Sequence, residues 1–467
     1  MKSYIFAALC FLSLFDAGAE STASQEYTFN VMAPLVLETD ADWNNFTHNL
    51  REARQIGVKG VSVDIWWGMV EAKGDNIFDW TYYRKVANII QEQGLDWIPI
   101  MSFHQCGGNV GDSCDIPIPK WVWTHFHLVD KKSLMFKSEE GNYSQETLSF
   151  LVDAATQDQI YQQYAEFMIA FQTEFAEYKT LIQEINISMG PAGELRYPSY
   201  NGHDKNSAYP SRGAIQGLSP QAVELWRAKH VRNCTITCAG NLLIENALDN
   251  HALNIAFAKN KHLDSAEQPL NNYLNWYHQS LIKHGTKMLT IADKAFSGDF
   301  KDISLGYKIP GIHWQIPESA QTIPNARSAE IAAGLIPASS QYDHSNAMGY
   351  SNILSIASDF SKTYGREVIV HFTALEMNDN AHAPAHSMAK SLVRWVAKGA
   401  QDLNLIIKGE NALAAGVYSV RGWNNIKDAL SLHYSGITVL RITDVADAQQ
   451  NRIGYEELKK LIPTNPN

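Results

Sequence analysis

The chain has 467 residues, 45% of them hydrophobic and 11% aromatic. That is ample for a large buried core, either one big barrel or two ordinary domains. A formal net charge of -11 and a pI near 5.8 exclude the broad basic surfaces that bind nucleic acid or anionic membranes.

Residues 1–19 read as a signal peptide for export. Lys2 supplies the positive end, residues 4–15 an apolar stretch too short to span a bilayer, and Ala17, Gly18 and Ala19 a small-residue cleavage site. The mature chain, 20–467, is then expected to be secreted. Cys10 leaves with the signal, and Cys106, Cys114, Cys234 and Cys238 remain as two local pairs. Their spacings do not match a zinc site, and His382 and His386 read as solvated loop residues.

Residues 29–35 form an apolar run fit for a first buried strand. Asp42 and Trp43 open a helix in which Phe46, Leu50, Ala53 and Ile56 recur at helical spacing until Gly57 ends it. A second strand is expected over 61–65. Asp79 caps a second helix with Val86, Ala87 and Ile90 on one face, and a third strand follows over 97–101. Strand, helix, strand, helix with short turns implies parallel pairing. Further strands are expected over 181–187, 304–309, 368–373, 405–408 and 437–440. Helices are expected near 160–175, 221–230, 272–296, 350–364, 387–400, 423–433 and 455–461. Eight strands suit an eight-fold β/α barrel, and an open doubly wound sheet fits the same pattern. No internal repeat or low-complexity linker interrupts the chain.

The segment after the fourth strand is Gly-Pro-Ala-Gly-Glu-Leu-Arg-Tyr-Pro-Ser-Tyr, residues 190–200. Two glycines and two prolines forbid a helix and fix a loop path. Glu194 sits in its middle. A carboxyl held rigidly among aromatics is a candidate general acid, because partial desolvation raises a carboxyl's pKa; a plain loop ion pair with Arg196 is the alternative. A second glycine-rich string, His-Gln-Cys-Gly-Gly-Asn-Val-Gly-Asp, spans residues 104–112. Asp64 closes the second strand, Glu410 the seventh and Arg441 the eighth, the strand ends where barrel enzymes build their sites.

These two strings, in this order, resemble the signatures of the beta-amylases, glycoside hydrolase family 14, and the resemblance runs from about Val31 to about Asp444. It implies a (β/α)8 TIM barrel with long loops at the C-terminal face of the strands. The implied activity is hydrolysis of α-1,4-glucosidic linkages in starch from non-reducing ends, releasing β-maltose with inversion. By resemblance Glu194 is the general acid and Glu410 the general base. Asp64, His104, Asp112, Lys308, His313, Thr373, Asn411, Ala412 and Arg441 match substrate contacts, Ala412 through its backbone. Gly107, Gly108 and Gly111 match a loop that closes over substrate, and Thr373 an inner-loop residue that moves during turnover. Twelve Trp and twenty Tyr suit stacking on sugar rings, although most fill the core.

The resemblance further implies a Cys106–Cys114 disulfide. It also implies a structural Ca²⁺ held by Glu71, Asp75, Asn76 and Glu166, with Gln163 standing where a second helix carboxylate is expected. No organic cofactor is implied. The chain ends soon after its last helix, without residues for the starch-binding domain that some bacterial relatives carry there. Two rival functions are open. One is a retaining or endo-acting glucanase; the other is a catalytically silent glucan-binding or storage protein on the same barrel.

Overall fold

The computed structural model describes residues 27–109, 114–126, 130–205, 207, 209–230, 268–315, 327–380, 382 and 386–463. The signal peptide, Asp112, Gly111 and the Cys234 and Cys238 pair lie outside the described residues.

Eight strands form one closed parallel barrel. They are β1 (Thr28–Met32), β2 (Gly60–Trp66), β3 (Asp96–Ser102), β4 (Glu184–Ile187), β5 (Ser304–Ile309), β6 (Val368–Phe372), β7 (Ile406–Glu410) and β8 (Tyr434–Val439). Each strand pairs with the next in sequence, and β8 closes on β1 with Phe29 opposite Ile437. The pairing follows from the alternation: each strand is followed by a helix that covers the outside, so successive strands must run the same way. The covering helices are α1 (Asp40–Gln55), α2 (Thr81–Glu92), α3 (Ala154–Glu174), α4 (Gln268–Ala295), α5 (Ser351–Tyr364), α6 (Ala389–Asp402), α7 (Val420–Leu430) and α8 (Arg452–Leu461). This is a (β/α)8 TIM barrel. Among the described residues no helix is long and apolar enough to cross a membrane.

Local chemistry explains the helix starts. Thr39 and Asp42 form a reciprocal capping box at α1, and Asp79 accepts from the Thr81 backbone N–H at the start of α2. In α3, Ile160, Tyr164, Phe167, Met168 and Phe171 are buried at three- and four-residue spacing. Phe171 meets Trp97 of β3 edge-on at 5.6 Å.

Strand bounds differ from expectation by up to three residues, most of all in β1, β4 and β8, the last beginning at Tyr434 rather than Ile437. The first strand stops at Met32 rather than running to Leu35. Ala33 still donates to Ser62, but Pro34 has no N–H to continue the ladder, and Leu35 turns out to 41% exposure. The fourth begins at Glu184 instead of Leu181. Leu181 already accepts from the Trp97 N–H, but regular pairing starts three residues later.

The barrel interior is more polar than an apolar strand reading implies. Glu184 and Asn186 of β4 alternate with buried Ile185 and Ile187, and the two polar residues face the axis, as the period of two requires. There Glu184 meets His371 of β6 and Lys408 of β7. The long connections after β3, β4 and β5 lie at the carboxyl ends of the strands and form the site.

Candidate active site

The loop after β4 is built around close backbone approaches. A Cβ at Gly190 would meet the carbonyl oxygens of Glu194 and Arg196 at 2.5 and 2.6 Å, so only glycine fits. Gly193 adopts φ +76°, in the left-handed region that glycine favours. Downstream, Leu195 and Tyr197 are fully buried. Leu195 donates its N–H to the Lys308 carbonyl at 2.8 Å. Tyr197 stacks on Tyr277 of α4 at 3.7 Å and donates its hydroxyl to the Tyr277 carbonyl. Glu194 is thereby held directly before two anchored residues. Its Oε2 accepts from Arg196 Nε at 2.7 Å, so the neighbour pair considered as the alternative to catalysis is indeed made. Arg196 also donates to Asn109 Oδ1 in the glycine-rich loop at 3.1 Å.

Glu410 ends β7, where Gly409 lies against Leu375 so closely that a Cβ would sit 1.9 Å from its side chain. Glu410 Oε2 is 2.8 Å from Lys308 Nζ. Burial opposes the Lys308 charge, but Glu410, Glu194 and Asp64 around it outweigh burial and lift the ammonium's pKa above its ordinary value. Lys308 therefore stands between the two candidate catalytic carboxylates, touching one loop through its backbone and the other through its side chain.

Glu194, Lys308 and Glu410 line one cavity of about 1160 Å³. Arg441, Thr373, His313, Trp314 and Ala412 line the same cavity. It adjoins a recess of about 250 Å³ in which Glu410 and Lys308 meet Asp64, His104, Trp66 and, deeper in the barrel, Asn186 and His371.

The recess is electrostatically shaped. Asp64 accepts from Ser102 Oγ at 2.6 Å, but burial dominates and pushes its carboxyl up to about 6, with Lys308 pulling the other way. His104 shares a 2.8 Å hydrogen bond with Ser188 Oγ; burial, with Lys308 and Arg196 nearby, lowers it to about 3, so the ring is neutral. His313 pairs with Ser387 Oγ at 2.7 Å, and burial lowers it to about 4. These neutral rings and the partly desolvated Asp64 suit hydroxyl ligands better than charged ones.

Thr373 is buried, and its Oγ1 accepts from the Gly311 N–H at 2.6 Å, tying the loops after β5 and β6. Asn411 directly follows Glu410; its Oδ1 accepts from the Leu440 N–H at 2.9 Å and holds the ends of β7 and β8 together. Glu376 supports the same loop by accepting from the Ala412 and Leu413 N–H groups. Burial lifts its carboxyl above the ordinary range, and these donors pull it back only in part. Cys106 and Cys114 are bonded, with Cα atoms 5.5 Å apart, and both border the recess.

Glu71, Asp75, Asn76 and Glu166 gather beside α3, apart from both cavities. The Asn76 N–H donates to Glu71 Oε1 at 2.6 Å, and its side-chain amide reaches Asp75 and Glu166 at 3.0 and 3.5 Å. Burial, aided by the charges of Asp75 and Glu166, pushes Glu71 up to about 7. One turn earlier on α3, Gln163 has a buried Oε1 with no hydrogen-bond partner. Oxygen donors of this kind suit calcium. As arranged, no three His, Cys, Asp or Glu side chains converge to hold an ion among the described residues; the Asn76 side-chain amide bridges Asp75 and Glu166 instead.

Several residues at the site escaped the sequence reading. Trp314, Tyr200 and Tyr209 form an aromatic group at the cavity wall, with Tyr209 and Trp314 5.1 Å apart edge-on. Leu413 lines the cavity with 54% exposure. The adjacency of Trp314 to His313 was a usable signal; Tyr209 had none, since it lies nine residues beyond the Gly-Pro string.

The model of Glycosyl hydrolase family 14 matches residues 30–464. The thermophilic beta-amylase of Thermoanaerobacterium thermosulfurigenes is 33% identical over 453 residues, 95% of this chain and 76% of that protein. The beta-amylase of Bacillus cereus is 35% identical, over 94% of this chain and 76% of that protein. Among solved structures, the catalytic domain of beta-amylase from Paenibacillus polymyxa superposes with a TM-score of 0.73 at 30% identity, over 94% of this chain and 98% of that one.

Proposed function

This chain belongs to glycosyl hydrolase family 14 and is a glycosidase of the beta-amylase kind, and we propose that it hydrolyses α-1,4-glucan from non-reducing ends with inversion, releasing β-maltose. The observation that carries this reading is the single cavity lined by both Glu194 and Glu410, from β4 and β7, with Lys308 between them. Two carboxyls facing one sugar supply the chemistry. Glu194 gives a proton to the leaving glycosidic oxygen. Glu410 takes a proton from a water on the opposite face, and that water attacks the anomeric carbon. Inversion requires the carboxyls roughly 6.5–9.5 Å apart, so that the water fits between sugar and base.

The recess beyond the carboxylates supports exo action. Asp64, His104 and Trp66 border it, and it ends against barrel side chains, a blocked pocket for the terminal sugars rather than an open cleft. Lys308, His313, Thr373, Ala412 and Arg441 are the further substrate contacts we propose, with Asp112 from the loop after β3. Asn411 is a further contact in this reading, and its side chain also ties the end of β7 to β8. A calcium ion on Glu71, Asp75, Asn76 and Glu166 would offset part of the charge of three carboxylates away from the chemistry, and no step passes through it. Secretion and a lasting Cys106–Cys114 bond complete the proposal, consistent with each other in an oxidising compartment.

Digestion of soluble starch tests it. Maltose as the sole early product, released as the β anomer by optical rotation or proton NMR, is expected. Longer early products, or the α anomer, would refute it in favour of an endo-acting or retaining enzyme.

A further inference from the structure

The barrel interior beneath the site holds a charge cluster that the hydrolysis itself does not use. Glu184 opens β4 and is fully buried. Its Oε2 is 2.5 Å from Lys408 Nζ on β7, and its Oε1 accepts from His371 Nε2 on β6 at 2.6 Å and from Asn186 Nδ2 at 3.0 Å. Burial alone would lift the Glu184 carboxyl, but the charges of His371 and Lys408 outweigh it and hold it below the ordinary carboxylate range, so it is ionised.

Burying such a group is a poor way to stabilise a fold. Removing charges from water is costly, and well-packed apolar replacements are often neutral or better. A gain in specificity of geometry is the best-attested reason to keep such a pair. The position of this one indicates which geometry. In the barrel order, β5 and β6 lie between β4 and β7, so the Glu184–Lys408 bond spans the interior rather than joining neighbours. The two strands it joins are those that lead to Glu194 and to Glu410. Lys408 and Glu410 are two residues apart on β7, hence on the same inward face, and His371 stands in register beside both Lys308 and Lys408.

We propose that the Glu184–Lys408 pair, braced by His371, is a crossbar that sets the separation of Glu194 and Glu410. Glu184 and Lys408 are thus positioning residues for the reaction. The inference rests on the two-carboxylate inverting reading, in which the spacing decides whether a water fits between base and sugar. Lys308 ties the loop after β4 to Glu410 directly, and the crossbar is a second, separate tie between β4 and β7.

The double variant Glu184→Gln, Lys408→Met removes both charges of the pair together, and the amide oxygen introduced at 184 can still accept from His371 Nε2. Thermal melting, maltose binding and steady-state kinetics on soluble starch are measured on the full chain. A folded variant is expected to keep maltose affinity and KM within about twofold while kcat falls on the order of 10- to 100-fold, the penalty for a misplaced catalytic group. Unchanged kcat, or a kcat loss matched by an equal loss of maltose affinity, would overturn the crossbar. Should the double variant not fold, Glu184→Asp carries the same test, since it keeps the charge and shortens the arm by one methylene. There, too, a selective kcat loss is expected, and unchanged kcat overturns the proposal. The anomer released by the wild type is read separately. A retained anomer sinks the inverting reading itself, whereas an inverted anomer with full kcat in the variants sinks the crossbar alone.

Discussion

Asp64→Asn should stabilise the fold at neutral pH while weakening substrate binding. Asp64 is 9% exposed, and burial raises its folded pKa from 3.8 to about 6. Because the folded value lies above the unfolded one, the folded state binds the proton more tightly. Below pH 3.8 the group is protonated in both states and contributes nothing. Stability is lost as pH rises through the window from 3.8 to 6, and the full penalty is present above it. The rise from 3.8 to about 6 corresponds to about 3 kcal/mol at pH 7, and the same linkage leaves about 1 kcal/mol at pH 4.5. Asparagine resembles the neutral acid, and its Oδ1 can still accept from Ser102. Urea unfolding should therefore show the variant more stable by about 1–3 kcal/mol at pH 7, with the gain shrinking markedly at pH 4.5. KM for starch should rise at the same time, since the ionised acceptor is gone. A variant no more stable than the wild type at pH 7, or equally stabilised at both pH values, would refute the reasoning.

Glu194→Gln and Glu410→Gln should each lower kcat by at least about 10²–10⁴, measured by release of reducing sugar, with maltose binding retained. Wild-type turnover in either variant would remove that residue from the chemistry. Glu376→Ala leaves the Ala412 and Leu413 N–H groups without their acceptor. A loss of about 1–3 kcal/mol of stability and a raised KM are expected in denaturant and kinetic assays, and a silent substitution would contradict the positioning role. If calcium binds at Glu71, chelation should lower the melting temperature. The lowering should fade as pH falls below about 7, where Glu71 takes up a proton that competes with the ion; no chelator effect at pH 8 would exclude the site.

The outer frame was legible because the barrel strands are short runs of four to seven residues, most of them largely apolar, between helices with clear stops. Ser304–Ile309 was readable to the residue, since Gly and Pro punctuate the following loop. The interior was less legible. The β4 stretch reads as apolar because Leu181, Ile182, Ile185 and Ile187 outnumber its polar residues, yet the informative signal was the alternation of Glu184 with Asn186. Long-range partners are invisible in sequence: Glu184 and Lys408 are 224 residues apart. The positions of Glu194 in the loop after β4 and of Glu410 at the end of β7 were predictable from barrel logic. What Asn411 touches was not, because it depends on how the loop after β7 meets the end of β8.

Lys308 leaves little freedom to retune the enzyme piecemeal. Its carbonyl holds the backbone beside Glu194 and its ammonium holds the carboxylate of Glu410. A substitution that shifts the β5 backbone at this point displaces the proton donor, and one that shortens the side chain releases the base. Efforts to move the acidic or the alkaline edge of activity independently are better aimed at the outer contacts, Arg196 on one side and Glu376 on the other, than at the residue both halves share.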